Sequence, residues 1–446
     1  MSTSRPLGDC ERLYWTLDHA GGTHFTAAVH LDGHLEEDAL RPALDAWQVR
    51  HPTLQARIAV EGRDVRFVWG DAPPVPIHQV TCDEGAWLEQ AHAELNTPVP
   101  WEAGPLVRCV LLTHPTTSRL MFSFHHAAAD GRAAIHLVRE LLALMARGLP
   151  EPNDAALAPL SPPPAMESLM PPAARGLRAL VGFNLASQRT QLSWLRTGFP
   201  KRLPRDDAGS TPWADHTPRM LLRELDELTT AALRKRTRVE RTTVHGALAA
   251  AQLLACAEEI KPGADMGAML ASPIDLRLLL GERAALNTGW LCISSIDTCH
   301  RVGPSVGFWD LARDVRDAVL TRAKRGEPCV SLPVASRVSL GWMGRWFTPD
   351  ARGAGRLASM TGKLLPYTTT LTNIGEVPLE GAASPLPVLD THCLLVLPAP
   401  FVFGSGAMTW RGRLRWAFAH REPAISGERA GRLAERSLEQ LEEALR

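Results

Sequence analysis

The chain of 446 residues lacks most features that announce a function on their own. It has no charge imbalance, with 48 Lys and Arg against 48 Asp and Glu. That balance suggests neither a nucleic-acid-binding face nor a strong field that steers an anionic substrate, and it leaves room for a local basic patch that meets a CoA or a carrier protein. No apolar run approaches the roughly 20 residues a membrane span needs, and the longest candidate, 246–257, has the length of a buried helix. Its eight cysteines form no CxxC pair and have no histidine at zinc-finger spacing, so they read as reduced thiols. HExxH, P-loop and EF-hand patterns are missing, as is any sequence repeat between the halves, and no metal site is expected. Gly353-x-Gly355-x-x-Ala358 has glycines of a dinucleotide fingerprint without the preceding strand or the acidic partner. Gly404-Ser405-Gly406 is no nucleophile elbow, and Ser405 is expected in a hairpin turn ahead of 408–416. The polar start Met1-Ser2-Thr3-Ser4-Arg5 carries no signal-peptide pattern, so a cytoplasmic location is expected.

What is present is Phe124-His125-His126-Ala127-Ala128-Ala129-Asp130-Gly131. With 16 His and 34 Gly in the chain, HHxxxDG should arise by chance on the order of once in 500 such sequences. Upstream, 120–124 is a short apolar and aromatic run, and downstream Ile135, Val138, Leu141, Leu142 and Met145 recur at helical spacing until Gly148 and Pro150. The pattern is a strand-to-helix turn with Asp130 at the N-cap. There a side-chain oxygen accepts backbone N–H bonds, and the first N–H groups of the helix point back toward the histidines, where an oxyanion could be stabilised.

A chain of this length exceeds the roughly 250–300 residues at which a single core stops growing, so two lobes are expected. Strands at 25–31, 65–69 and 106–112 and helices at 36–50 and 85–96 make the first third a mixed α/β lobe. The proline-dense stretch 149–172 marks a boundary. The domains expected are an N-terminal lobe at 1–165, a linker and connecting helix at 166–215 and a C-terminal lobe at 216–446. In the last, helices at 226–238, 242–259, 307–325 and 425–445 alternate with strands at 268–274, 291–296, 368–373, 393–397 and 413–419. The stretch 173–205 is helical in tone and rich in arginine. It reads as a connecting helix with a solvated basic face, the sharper alternative being a docking surface for an acidic carrier protein or a membrane.

The motif, together with Glu11-Arg12-Leu13-Tyr14-Trp15, the segment 40–54 ending in Arg50-His51-Pro52-Thr53-Leu54, and Pro273-Ile274-Asp275-Leu276-Arg277, resembles the condensation-domain and chloramphenicol-acetyltransferase-like superfamily, in particular its standalone alcohol-acyltransferase branch. The resemblance implies an α/β fold of mixed sheets, with two similar lobes in a V and an active-site tunnel between them. It also implies acyl transfer from an acyl-CoA or phosphopantetheinyl carrier thioester to a small-molecule alcohol or amine, with no tightly bound cofactor and an acyl carrier protein as a possible partner. In that family the second histidine reacts, here His126, as a general base. His125 and Gly131 support the turn, and Asp130 pairs with an arginine of the other lobe, at the position of Arg277. Thr372-Asn373-Ile374-Gly375 resembles the Asn-x-Gly form of this branch rather than a plant-type DFGWG, which places Asn373 and Gly375, with Asn287, along the tunnel. Two other classes compete: a non-catalytic module that binds a carrier or client, and a serine hydrolase with an acyl-serine intermediate.

Overall fold

The computed structural model describes residues 3–147, 158–281, 289–342, 346, 348–379 and 383–446. In chain order the first lobe contains β1 (Thr3–Pro6), α1 (Asp9–Asp18), β2 (Phe25–Asp32), α2 (Glu37–Arg50), β3 (Ala56–Glu61), β4 (Asp64–Trp69), β5 (Ile77–Thr81), α3 (Trp87–Leu95), β6 (Val107–Thr113), β7 (Thr117–Phe124) and α4 (Gly131–Arg147). The long helix α5 (Gly176–Thr197) leads to the second lobe. The second half of the chain contains β8 (Thr217–Leu225), α6 (Glu227–Val239), α7 (Val244–Ile260), β9 (Met266–Asp275), the single turn α8 (Arg277–Leu280), β10 (Ile293–Val302), α9 (Phe308–Lys324), α10 (Ser331–Ser336), α11 (Ala351–Leu364), β11 (Thr369–Glu376), β12 (Val388–Leu395), β13 (Phe403–Trp410), β14 (Arg413–Glu422) and α12 (Gly427–Leu445).

Each lobe is organised on one mixed sheet. The first has the order β12-β2-β7-β6-β5, and the second β10-β9-β11-β13-β14-β8. A small antiparallel sheet, β1-β4-β3, flanks the first. Strand β7 lies between β2 and β6, antiparallel to both, and all eight of its residues are buried. A strand enclosed on both edges and both faces reads as a nearly continuous apolar run, as 120–124 does apart from Ser123, whose hydroxyl donates to Glu94 at 3.1 Å and meets Thr26 Oγ1 at 2.8 Å. Helix α4 covers this sheet with Leu137, Val138, Leu141 and Leu142, and the Trp47 indole of α2 donates to the Leu137 carbonyl at 3.0 Å. In the second lobe α7 is enclosed from Gly246 through Ala257, the apolar run seen in the sequence.

Three sequence expectations change. The strand expected at 393–397 spans Val388–Leu395 and pairs antiparallel with β2, so a strand from the second half of the chain completes the first lobe's sheet. Ser405 sits inside β13, fully enclosed, with its hydroxyl donating to Gln252 and accepting from the Trp416 indole at 2.9 Å. The hairpin turn falls instead at Arg411 and Gly412, both with positive φ. The glycines beside Ser405 serve close packing: a Cβ on Gly404 would lie 2.5 Å from Thr370 Cγ2, and one on Gly406 2.8 Å from Leu395 Cδ2. The helix expected over 173–205 is confined to α5, bounded by Gly176 and Gly198 at φ +57° and +86°. All eight cysteines are free.

Candidate active site

Six residues, 125–130, connect the end of β7 to the start of α4. The His125 amide still belongs to the sheet, donating to the Leu106 carbonyl at 3.0 Å. Its ring is fully enclosed, and Nδ1 accepts from the Ala127 amide at 3.1 Å. An accepting Nδ1 carries the lone pair, so the proton resides on Nε2, 3.6 Å from Asp18 Oδ2 at the end of α1. Burial lowers the His125 pKa, against the pull of Asp18, and keeps the ring neutral. Asp18 is itself held in place by the Thr23 amide, which donates to Oδ1 at 2.8 Å. Burial works against its charge, but His125 and His24 hold its carboxyl below the ordinary value.

The neighbouring ring is set differently. His126 stacks on Tyr14 of α1, centroids 4.2 Å apart at 18°, and Phe25 meets it edge-on at 5.0 Å. Its Nδ1 is sealed from solvent without a well-formed hydrogen bond, so Nε2 is the nitrogen left to meet a substrate. Burial brings its pKa down to about 4, partly opposed by the charge of Asp130 and the carbonyls of His126 and Ala129. At neutral pH the ring is therefore unprotonated and keeps a lone pair.

Asp130 caps α4, with Oδ1 accepting from the Ala133 amide at 2.9 Å. Its Oδ2 accepts from Arg277 Nη1 at 2.9 Å and from the Cys292 amide at 2.7 Å, both from the other lobe. Arg277 is equally enclosed; it also donates to Asp275 Oδ1 at 3.1 Å and to the Trp290 carbonyl. Burial opposes its charge, and the Asp130 carboxylate more than offsets this, holding the guanidinium pKa above its usual value. A carboxylate with three donors and an arginine with three acceptors form a satisfied buried network that fixes the turn against the facing lobe. The Gly131 amide, next in the chain, has no hydrogen-bond acceptor among the described residues. A side chain at Gly131 would crowd Ile374, since a Cβ would lie 3.1 Å from Ile374 Cδ1.

Ile374 belongs to the segment expected along the tunnel. Asn373 and Gly375 flank a bulge in the pairing of β11 with β13, and Asn373 Oδ1 accepts from the Gly375 amide at 2.9 Å. The side-chain oxygen of Asn373 is thus spent on its own backbone, and Gly375 has φ +82°. What reaches the motif helix from this strand is Ile374, whose carbonyl also accepts from Arg132 Nη1 at 3.3 Å. Asn287 lies outside the described residues. The backbone just after it returns at Gly289, whose carbonyl accepts from Thr53 Oγ1 at 2.7 Å and whose missing Cβ leaves room for Leu137.

The sequence did not point to Tyr14 and Asp18 as site residues, although Tyr14 is one of only two tyrosines in the chain. Nor did it point to Arg421, fully enclosed on β14, which donates to the Leu397 carbonyl at 2.7 Å and to the Gly21 and Gly22 carbonyls at 3.0 and 2.9 Å. Arg421 thereby fixes the loop that follows Asp18. A cavity of about 360 Å³ lies beyond α1, lined by Glu167, Met170, Ala174, Arg175, Gly176 and Pro333 among others. Glu167 Oε1 accepts from the Cys10 amide at 2.8 Å, and Cys10 precedes Tyr14 by one helical turn. No cluster of three or more metal-ligating side chains, and no helix long and apolar enough to cross a membrane, occurs among the described residues.

Two mixed-sheet lobes, an enclosed histidine turn between them and an aspartate–arginine bridge across the cleft define an acyltransferase-type two-lobed α/β protein. Residues 14–152 match the condensation domain family and residues 215–400 match the phthiocerol/phthiodiolone dimycocerosyl transferase C-terminus family. The two matches agree with the resemblance to the condensation-domain and chloramphenicol-acetyltransferase-like superfamily that the sequence motifs carry. The chondramide synthase of Chondromyces crocatus is 32% identical over 152 residues, 31% of this chain and 4% of that protein. The chain spans only 4%, 15% and 7% of the length of three curated relatives it matches. Among solved structures, polyketide synthase associated protein 5 from Mycobacterium tuberculosis superimposes with a TM-score of 0.66 at 18% identity, covering 99% of this chain and 97% of that one. The trichothecene 15-O-acetyltransferase from Fusarium sporotrichioides does so with 0.70 at 12% identity, covering 100% and 96%. At these identities the likeness is one of fold, two lobes in a V.

Proposed function

We propose that this protein transfers an acyl group from a CoA or carrier-bound phosphopantetheine thioester directly to an alcohol, with His126 as general base. Nε2 of His126 takes the hydroxyl proton while the oxygen attacks the thioester carbonyl. The carbonyl oxygen becomes an oxyanion for which the open Gly131 amide, at the positive end of α4, is the candidate donor. Collapse re-forms the C=O bond and expels the thiolate, which takes the proton from the His126 imidazolium and leaves as a thiol. No acyl-enzyme forms, so alignment of the two substrates carries much of the acceleration. The observation that carries this reading is a neutral His126 ring, clamped by Tyr14 at a turn whose aspartate is bridged to the opposite lobe.

A second reading, amide formation on an amine acceptor, draws on the match of 14–152 to the condensation domain. An intact base at an elaborately held turn speaks against a purely non-catalytic module. The deciding experiment is thiol release from a panel of acyl-CoAs with alcohols and amines as acceptors, wild type against His126→Ala, with products identified by mass. Acceptor-dependent release that vanishes in the folded variant is the expected result. Release that survives the substitution would remove His126 as base, and an acyl-serine adduct after a thioester pulse would overturn direct transfer.

A further inference from the structure

Helix α5 is built inside out. The side toward the protein carries the small residues Ala179, Ala186 and Thr190 with the partly buried Phe183 and Trp194, while its leucines and Val181 face solvent. Leu177 is 76% exposed, Val181 53%, Leu192 61% and Leu195 83%, and Phe199 just beyond the helix is 64% exposed. Positions 177, 181, 188, 192 and 195 follow one another at steps of four, seven, four and three, which in an α-helix is a single stripe. Asn184 and Gln188 interrupt it at mid-helix, with Gln188 Nε2 donating to Asn184 Oδ1 at 2.8 Å. Arg178, Arg189 and Arg196 each follow a stripe position by one residue and so form a second row along its flank. The helix contains no acidic residue, and Lys201 and Arg202 continue the positive charge past its end. Arg189 pairs with Glu327 at 2.9 Å; Arg178, Arg196, Lys201 and Arg202 have no ion-pair partner among the described residues.

The solvated basic face expected from the sequence is therefore a row of leucines with cations beside it. We propose that α5 is an interfacial helix that seats the protein on an anionic lipid surface. A straight stripe along 22 residues, about 33 Å at the α-helical rise, matches a planar boundary better than a globular partner. The unpaired arginines match its anionic headgroups. Two copies joined through this helix would bring their arginine rows together with no carboxylate to meet them. An acidic carrier protein would satisfy the arginines and leave much of the leucine row wet. Seating would also place the 360 Å³ cavity, lined by Arg175 and Gly176 at the first turn of α5, next to the lipid. Binding is read without enzymatic activity, so this proposal and the acyl-transfer reading fail separately.

The test is co-sedimentation of the full chain with vesicles of phosphatidylcholine alone and of phosphatidylcholine mixed with phosphatidylglycerol. Wild type should pellet with the mixed vesicles and far less with the neutral ones. Arg178→Gln with Arg196→Gln should weaken binding to the anionic vesicles about 30-fold. Leu177→Gln with Leu192→Gln and Leu195→Gln should abolish it. All five positions are exposed, so both variants should keep the wild-type circular dichroism and melting temperature. The proposal is overturned if wild type stays in the supernatant with anionic vesicles, if both variants pellet as wild type does, if an acidic carrier protein binds through these arginines while vesicles do not, or if the stripe proves to join two copies in solution.

Discussion

At the turn 125–130 the side chains of His125 and Asp130 are secured by residues far away in the chain, whereas at the bulge 373–375 the Gly375 amide is satisfied by its own neighbour. His125 is held by Asp18, and Asp130 by Arg277 and the Cys292 amide, partners 107, 147 and 162 residues away. Asn373 instead bonds the Gly375 amide two residues on. A turn supported from several segments can hold one ring in one orientation only while the whole fold is intact, so it suits a group whose position must be kept within about 1 Å. The bulge holds the Gly375 amide through its own Asn373 and aims Ile374 at the motif helix, where Arg132 donates to the Ile374 carbonyl.

The sharpest way to test that contrast is to remove the reacting group from the turn. His126→Ala should lower kcat for the proposed transfer by about 10² to 10⁴, the usual worth of a general base, in protein that circular dichroism shows to be folded. Next comes the bridge. Asp130→Asn replaces a carboxylate that accepts from three donors with an amide whose NH2 must face either the Ala133 amide at the Oδ1 position or both Arg277 and the Cys292 amide at the Oδ2 position, and breaking one side of a buried pair costs about 3 to 5 kcal/mol. Chemical denaturation should show that loss, and activity should fall about 100-fold in the protein that remains folded, since His126 is displaced with the turn. Wild-type stability in Asp130→Asn would mean that Arg277 is not what secures the loop.

The two walls also differ in what they can titrate. His126 keeps its lone pair down to a pKa of about 4, so kcat/KM with an alcohol should stay level from neutral pH through 6.5 and fall as pH drops through about 4. Folding responds over a wider window. The pKa values of His24, His125 and His126 are all lowered in the folded chain. Below the ordinary histidine value of about 6.5 the unfolded chain therefore binds more protons, and stability declines as pH falls. Circular dichroism at each pH separates the two effects. Tyr14→Ala removes the ring that covers His126 and should raise the kinetic pKa toward the ordinary histidine value, because burial is its main cause. An amine acceptor would add a second rise at higher pH as it loses its own proton, which an alcohol does not.

The sequence made the turn legible because its two flanks have different periods: a mainly apolar run into 124 and a helical repeat from Ile135 onward. It could not show what the turn leans on. Tyr14 and Asp18 lie on a helix whose packing partner is not encoded in its own spacing, and the pairing of Asp130 with Arg277 was accessible only through resemblance. Strand β12 shows the same limit, for a pattern marks a strand without naming the sheet it joins. Gly404-Ser405-Gly406 was misread for a related reason. Glycines that read as a turn are there because Thr370 and Leu395 press against the strand.

The smallest expected effects belong to the bulge, and they are what the comparison most needs. Gly375 has φ +82°, a conformation that costs a residue with a Cβ about 1 to 2 kcal/mol, and there is open space around it, so Gly375→Ala should lose that amount through backbone strain alone. Asn373→Ala removes one hydrogen bond at a half-buried position and should cost about 0.5 to 1.5 kcal/mol. Neither should alter the kinetic pKa of His126, because nothing at 373–375 bonds to the turn's histidines. If either substitution lowers kcat by as much as Asp130→Asn, the bulge is not self-supporting: its geometry would then reach His126 through the contact of Ile374 with Gly131, and the two walls would act as one unit.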